Sequence, residues 1–337
     1  MELAKLVASF FVVFIHVPFP GDFGILVDGL GRYAVPMFFA ISGYFNYQAD
    51  SGKVWKRTRH LISLYVIAVV LHLLWGCIVT EAEGGSTVAY LIKAVPDPDE
   101  FTRWLIIQTD PFSGQLWYLN SAIVTYVVYW VYVRFYGETK VDYRPLYFAA
   151  FVLFAIYFGF CTVTVVGHGG EALLSSRNAW FTGIPMFTLG IFVREHQQQI
   201  FENFRLTAGK LWIMLIIGVL LVIQQWNAIG LPGMPFGTLF IIAALVLLLV
   251  SHPNVGGKSG FVQRLALKCG PWSTWIYILH LIVNSFYEHV CQPYASAVFT
   301  QREAWLHPLI VLGISFLAAI AAERIEFLIK RLLRRHS

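Results

Sequence analysis

Residues 61–80 read "LISLYVIAVVLHLLWGCIVT", twenty positions without an Asp, Glu, Lys or Arg and with one histidine, His72. At 1.5 Å per residue, a helix of this length rises about 30 Å, the thickness of a bilayer's hydrocarbon core. Similar runs recur throughout the 337-residue chain, which is 58% hydrophobic and only 13% charged, with mean hydropathy +0.65. A water-soluble chain of this size needs more charge to cover its surface. The alternating ten-residue segments of a membrane β-barrel do not occur. The pattern implies an all-α polytopic membrane protein, in direct contact with the lipid bilayer.

Reading outward from 61–80 gives about ten spans, near 3–17, 33–49, 61–80, 114–135, 146–166, 178–194, 210–227, 235–251, 271–291 and 306–328. The positive-inside rule tests this register. With both termini cytoplasmic, 19 of the 24 basic residues fall inside, and only Arg32, Lys93, Arg103, Arg177 and Arg302 fall outside. Losing or gaining one span would scramble that asymmetry. The first span lacks a small-x-small cleavage site and runs straight into proline, so it reads as an uncleaved helix. Residues 81–113 form the longest stretch outside the membrane, an outer loop with some local structure. The whole chain, 1–337, reads as one transmembrane domain. The net charge of +5 is accounted for by orientation, and nucleic acid is not an expected partner. Cys77, Cys161, Cys269 and Cys291 are scattered, suggesting neither a disulfide framework nor a metal site. The "GHGGE" segment (167–171) reads as a glycine-rich turn.

Ionisable groups inside a membrane are costly and mark function by default. His16 sits at the outer end of the first span, in "FVVFIHVP" (11–18). A neutral imidazole can take a proton from a hydroxyl, and it can equally be a core histidine bonded to a neighbouring helix. The residues alone leave both readings open. Lys5, eleven residues earlier, reads as a snorkelling anchor at the cytoplasmic face. In "RYAVPMFFAISGYF" (32–45), Pro36 should kink the second helix, and Ser42-Gly43 should permit close helix packing. No acidic residue lies inside the first two spans. Asp22 and Asp28 are assigned to an outer loop.

"KVWKRTRH" (53–60) places Lys56, Arg57 and Arg59 at the cytoplasmic face. They either fix topology or clamp the phosphates of a nucleotide-like donor. In the ninth span, Tyr277, His280 and Asn284 share one helical face that should look into the bundle. Gln115, Trp117, Tyr118 and Asn120 give the fourth span a polar, aromatic beginning. His72 is isolated and reads as structural.

Taken together, these segments resemble the acyltransferase family 3 membrane proteins. Lys5 and His16 have the spacing of that family's first-helix arginine and essential histidine, with lysine in place of arginine. "VPMFFAISGYF" (35–45) matches its proline–double aromatic–Ser-Gly-aromatic signature, and Lys56 and Arg59 match its cytoplasmic basic pair. "GQLWYL" (114–119), "NAWFTGIPMFTLGIFV" (178–193) and "STWIYILH" (273–280) are similar to further family segments. The resemblance implies a ten-helix protein of the inner (cytoplasmic) membrane that O-acylates exported glycans or glycolipids. It implies acyl-CoA, here acetyl-CoA, as donor substrate and no permanently bound cofactor.

On this reading Lys5, Lys56, Arg57 and Arg59 hold the donor, and His16 is the base or a covalent acyl relay. Tyr277, His280, Asn284, Ser42 and Trp117 support the reaction. Some relatives carry an additional soluble esterase-like domain. None is read here, so final transfer is expected at the membrane, in a homodimer or with an extracytoplasmic partner protein. The rival reading is a non-enzymatic transporter of an amino acid or small metabolite, as implied by the related membrane halves of vancomycin-resistance serine racemases.

Overall fold

A computed structural model describes residues 1–136, 141–167, 176–229, 233–252, 260–291 and 300–333. Among these residues all regular structure is helical. Thirteen α-helices follow in order: α1 (Glu2–His16), α2 (Gly21–Gly31), α3 (Ala34–Asn46), α4 (Ser51–Ala82), α5 (Thr87–Lys93), α6 (Pro98–Ile107), α7 (Trp117–Tyr136), α8 (Arg144–Gly167), α9 (Ile184–Asn203), α10 (Ala208–Ile229), α11 (Gly237–Ser251), α12 (Gly260–Phe286) and α13 (Thr300–Leu333). A helix covers each of the ten stretches expected to span. Among the described residues, five stretches are long and apolar enough to cross a bilayer: Gly21–Asn46, Ser51–Ala82, Gly114–Tyr136, Ala208–Ala228 and Glu303–Leu332. The protein is an all-helical membrane protein. Lys140, Lys258, Arg334, Arg335 and residues 168–171 of the glycine-rich turn lie outside the described residues.

Several boundaries differ from expectation for identifiable reasons. Helix α4 begins about ten residues before the apolar run, because Asp50 caps it by accepting the Lys53 N–H at 2.8 Å. The basic segment 53–60 is therefore a rigid helical extension. Pro36 does not kink a helix: it lies in the first turn of α3, where a missing N–H forfeits no hydrogen bond. The chain breaks upstream instead, at residues 32–33. Asp22 and Asp28, assigned to a loop, lie in α2, where Asp28 pairs with Arg32 at 2.8 Å. Helices α12 and α13 run through Pro271 and Pro308. The outer stretch 81–113 contains α5 and α6, the latter opened by an Asp97–Glu100 capping box.

The chain divides into two compact units, Met1–Val35 with Leu248–Ser337, and Pro36–Leu247. In the first, α12 packs along both α1 and α13. Edge-on aromatic contacts Phe10–Phe316 and Trp272–Phe316 fill the seam, and α2 folds back on α1 with Phe11 against Tyr33. In the second, α4 packs on α7 and α8 on α9. Helices α3 and α9 approach so closely that a Cβ on Gly43 would collide with the Phe187 carbonyl, and one on Gly190 with the Ala40 carbonyl. Backbone contact of this kind, through small residues, is how helices associate where no hydrophobic gain is available.

Candidate functional site

Within the first unit, the structure brings His16 and His280 together. His16 ends α1 and is half-buried, whereas His280 is completely buried on α12. Their ring centroids are 5.1 Å apart, with the planes inclined at 42°. The His280 Nδ1 lies 2.8 Å from the Tyr277 carbonyl and 3.2 Å from that of Ile276. A carbonyl only accepts, so this ring carries its proton on Nδ1 and keeps Nε2 as its basic nitrogen. The buried Tyr277 ring rests 6.2 Å from the His280 ring. Asn284, one turn further along, turns to Glu288 at 2.9 Å.

Lys5 sits in the first turn of α1 and pairs with Glu2 at 2.9 Å. Glu2 in turn lies so close over Gly270 that a Cβ there would displace its carboxylate. The anchor reading thus acquires an acidic partner that falls just before the expected span.

The remaining candidates belong to the second unit. Ser42 and the Tyr126 phenol share a hydrogen bond. Asn46, 1% exposed, donates to the Ser42 carbonyl at 2.7 Å and to the Tyr126 oxygen at 3.0 Å. Tyr129 donates to the Asn46 carbonyl at 2.7 Å. Arg57 completes the network: its Nη1 donates to the Phe45 carbonyl at 3.0 Å and to Asn46 Oδ1 at 2.6 Å. It clamps the carbonyl end of α3, where unpaired acceptors and the helix dipole favour a cation. Lys56 and Arg59, three residues apart on one side of α4, are exposed.

The two kinds of basic residue should respond differently to substitution. Arg57→Ala leaves buried acceptors without a donor and should cost about 1–3 kcal/mol, whereas Lys56→Ala and Arg59→Ala should leave thermal unfolding in detergent unchanged. Equal melting for all three variants would refute the clamp.

Trp117 opens α7 and is half-buried, and its neighbour Tyr118 packs on Phe38 and Phe39. His72 is not isolated, because its Nε2 meets the amide of buried Gln115 at 2.8 Å.

Sequence reasoning missed a second polar cluster, which staples the outer stretch to α4. Tyr65 donates to Asp110 at 2.6 Å, Trp104 Nε1 donates to Tyr65 at 2.8 Å, and the Phe112 and Ser113 N–H groups reach Asp110 Oδ1. Only the Asp-Pro of "TDPFSG" (109–114) hinted at a turn. Burial pushes the Asp110 carboxyl above its ordinary value of 3.8, against the lowering effect of these hydrogen bonds. A raised folded-state pKa makes the folded form bind the proton more tightly. This contribution to stability is full below pH 3.8 and is lost as pH rises through the folded value. Asp110→Asn should flatten that dependence over the same window, measured as the wild-type minus variant melting difference against pH. A difference that grows in the opposite direction would contradict the sign.

Among the described residues, no group of three or more His, Cys, Asp or Glu side chains is placed to hold a metal ion. Comparison with curated proteins and with solved structures finds no match. A family model described as an acyltransferase domain matches residues 1–324, from the first turn of α1 almost to the end of α13. The match takes in the histidine pair, the Ser-Gly helix and the basic extension of α4, and on that ground this chain belongs to acyltransferase family 3.

Proposed function

We propose that this acyltransferase moves an acyl group, in the first instance acetyl, from cytoplasmic acyl-CoA to a hydroxyl of an exported glycan or glycolipid. The proposal includes ten spans in the inner (cytoplasmic) membrane with both termini in the cytoplasm. The observation that carries it is the placement of His280 against His16. An imidazole whose Nδ1–H is pinned to its own helix backbone holds a fixed orientation. Its neighbour on α1, half-exposed, remains accessible to substrate.

His16 removes the proton of the acceptor hydroxyl as its oxygen attacks the thioester carbonyl. The C–O bond forms, the C–S bond breaks, and the CoA thiolate takes up a proton. In the relay variant a ring nitrogen of His16 first carries the acyl group and then yields it to the alcohol. His280 positions His16 and accepts charge from it, and Tyr277 backs His280. The exposed Lys56 and Arg59, with Lys5, pair the donor's phosphates. Arg57 is left to hold α3, with Ser42 and Trp117 packing the same region.

The direct test is incubation of the purified protein with radiolabelled acetyl-CoA and a pool of hydroxyl acceptors. Mass spectrometry of surface glycans from cells with and without the protein accompanies it. Label in an ester, and a mass increment lost with the protein, are the expected results. Absence of transfer together with amino-acid uptake into proteoliposomes would replace this reading with that of a transporter.

A further inference from the structure

The second unit contains an open-sided groove of about 330 Å³ between α8, α9 and α11 that takes no part in the proposed chemistry. Phe151, Phe154, Met186, Phe192 and Leu239 make its lining apolar. Two hydroxyls interrupt that surface. The Tyr147 phenol donates to Glu195. Thr188 is only 3% exposed, yet its Oγ1 has no hydrogen-bond partner among the described residues. Buried threonines elsewhere in the unit behave as helical threonines usually do, bonding the carbonyl four residues back: Thr58 to Val54 at 2.9 Å and Thr125 to Ser121 at 2.8 Å. Thr188 departs from that habit, and a buried polar atom left unpaired is costly.

We infer that the groove binds one chain of a diacyl glycerophospholipid from the adjacent leaflet, with Thr188 donating to the lipid's ester carbonyl. The volume accommodates roughly ten methylene-sized groups at about 30 Å³ each. In a bilayer, hydrocarbon already bathes every apolar surface, so filling the groove brings no transfer gain. Selection among lipids then falls to the unpaired hydroxyl, which meets no competing water at that depth.

The height of Thr188 suits an ester. Helix α9 carries no charge from Ile184 to Val193 and then presents Arg194 and Glu195. Thr188 lies about 9 Å along the axis from that charged boundary. The interfacial layer of a bilayer is about 5–7 Å thick on each side, with the ester carbonyls at its inner edge. A headgroup level with Arg194 and Glu195 therefore places a carbonyl within reach of the last turns before them. The lipid would bear on the face of α9 opposite Gly190 and Phe187, bracing the helix against α3.

This inference depends on membrane insertion and not on the acyl-transfer chemistry. Native mass spectrometry of the purified wild-type protein, offered phosphatidylglycerol and its diether analogue, tests it. The diether keeps the headgroup and chains but lacks the ester carbonyls. Wild type should retain the diester about three- to tenfold better, the range expected of one hydrogen bond. Thr188→Val should abolish the preference and Thr188→Ser should keep it. Ala150→Phe, which fills the groove, should reduce retention of both lipids. Equal retention of diester and diether by wild type would overturn the assignment, as would a preference unchanged in Thr188→Val. If Thr188→Val fails to fold, the wild-type comparison decides alone.

Discussion

Purified His16→Ala protein is expected to transfer acyl groups about 10²–10⁴ times more slowly than wild type, with its melting temperature nearly unchanged. The ring ends α1 and is half-exposed, so its removal opens little cavity. What it removes is the imidazole 5.1 Å from His280. His280→Asn separates a positioning role from simple packing, because an asparagine amide can still donate to the Tyr277 carbonyl. That variant should lower kcat with KM nearly unchanged and displace the pH–rate profile. The base and relay variants of the mechanism diverge when acceptor is omitted. Labelled acetyl-CoA then leaves acid-precipitable label on wild type but not on His16→Ala if the acyl group is carried covalently, and on neither if His16 acts as a base. Full activity in His16→Ala would remove the catalytic proposal altogether.

The second large effect is structural. Gly43→Ala and Gly190→Ala each drive a methyl group into a backbone carbonyl of the facing helix, and backbone cannot step aside as a side-chain tip can. Overpacking typically costs about 1–3 kcal/mol and occasionally more, and here relief requires α3 and α9 to separate. Separation would also loosen the Tyr44 bridge, in which Arg194 donates to the Tyr44 hydroxyl at 3.0 Å and Tyr44 donates to Gln197 at 3.0 Å. Each variant should therefore melt well below wild type in detergent, and the double variant should fall short of the sum of the two, since both strain the same seam. Wild-type melting of either single variant would mean that the helices do not meet as described.

The sequence by itself determined the architecture class and the location of the helices. Twenty-residue apolar runs have no other stable form in a bilayer, because each backbone N–H and C=O must be satisfied within its own segment. A helix covers every expected stretch for this reason. Ends were less legible where polar residues continue the helix beyond the hydrocarbon, as in α4 from Ser51 and α13 to Leu333, since hydropathy says nothing once the chain has left lipid. The same chain-local signal placed His16 and the Ser-Gly motif, and it correctly set Tyr277, His280 and Asn284 on one face of one helix.

Only the tertiary structure decided which distant groups meet. His280 stands against His16, Gln115 meets His72, Arg57 closes the end of α3, and Tyr65 holds a buried Asp110. Helical period specifies which way a side chain points within its own segment, but the partner across the gap comes from packing between segments that share no local signal. That packing makes Arg57 a clamp while Lys56, its neighbour in sequence, stays exposed, and it leaves the Thr188 hydroxyl facing a groove that hydropathy alone could not reveal.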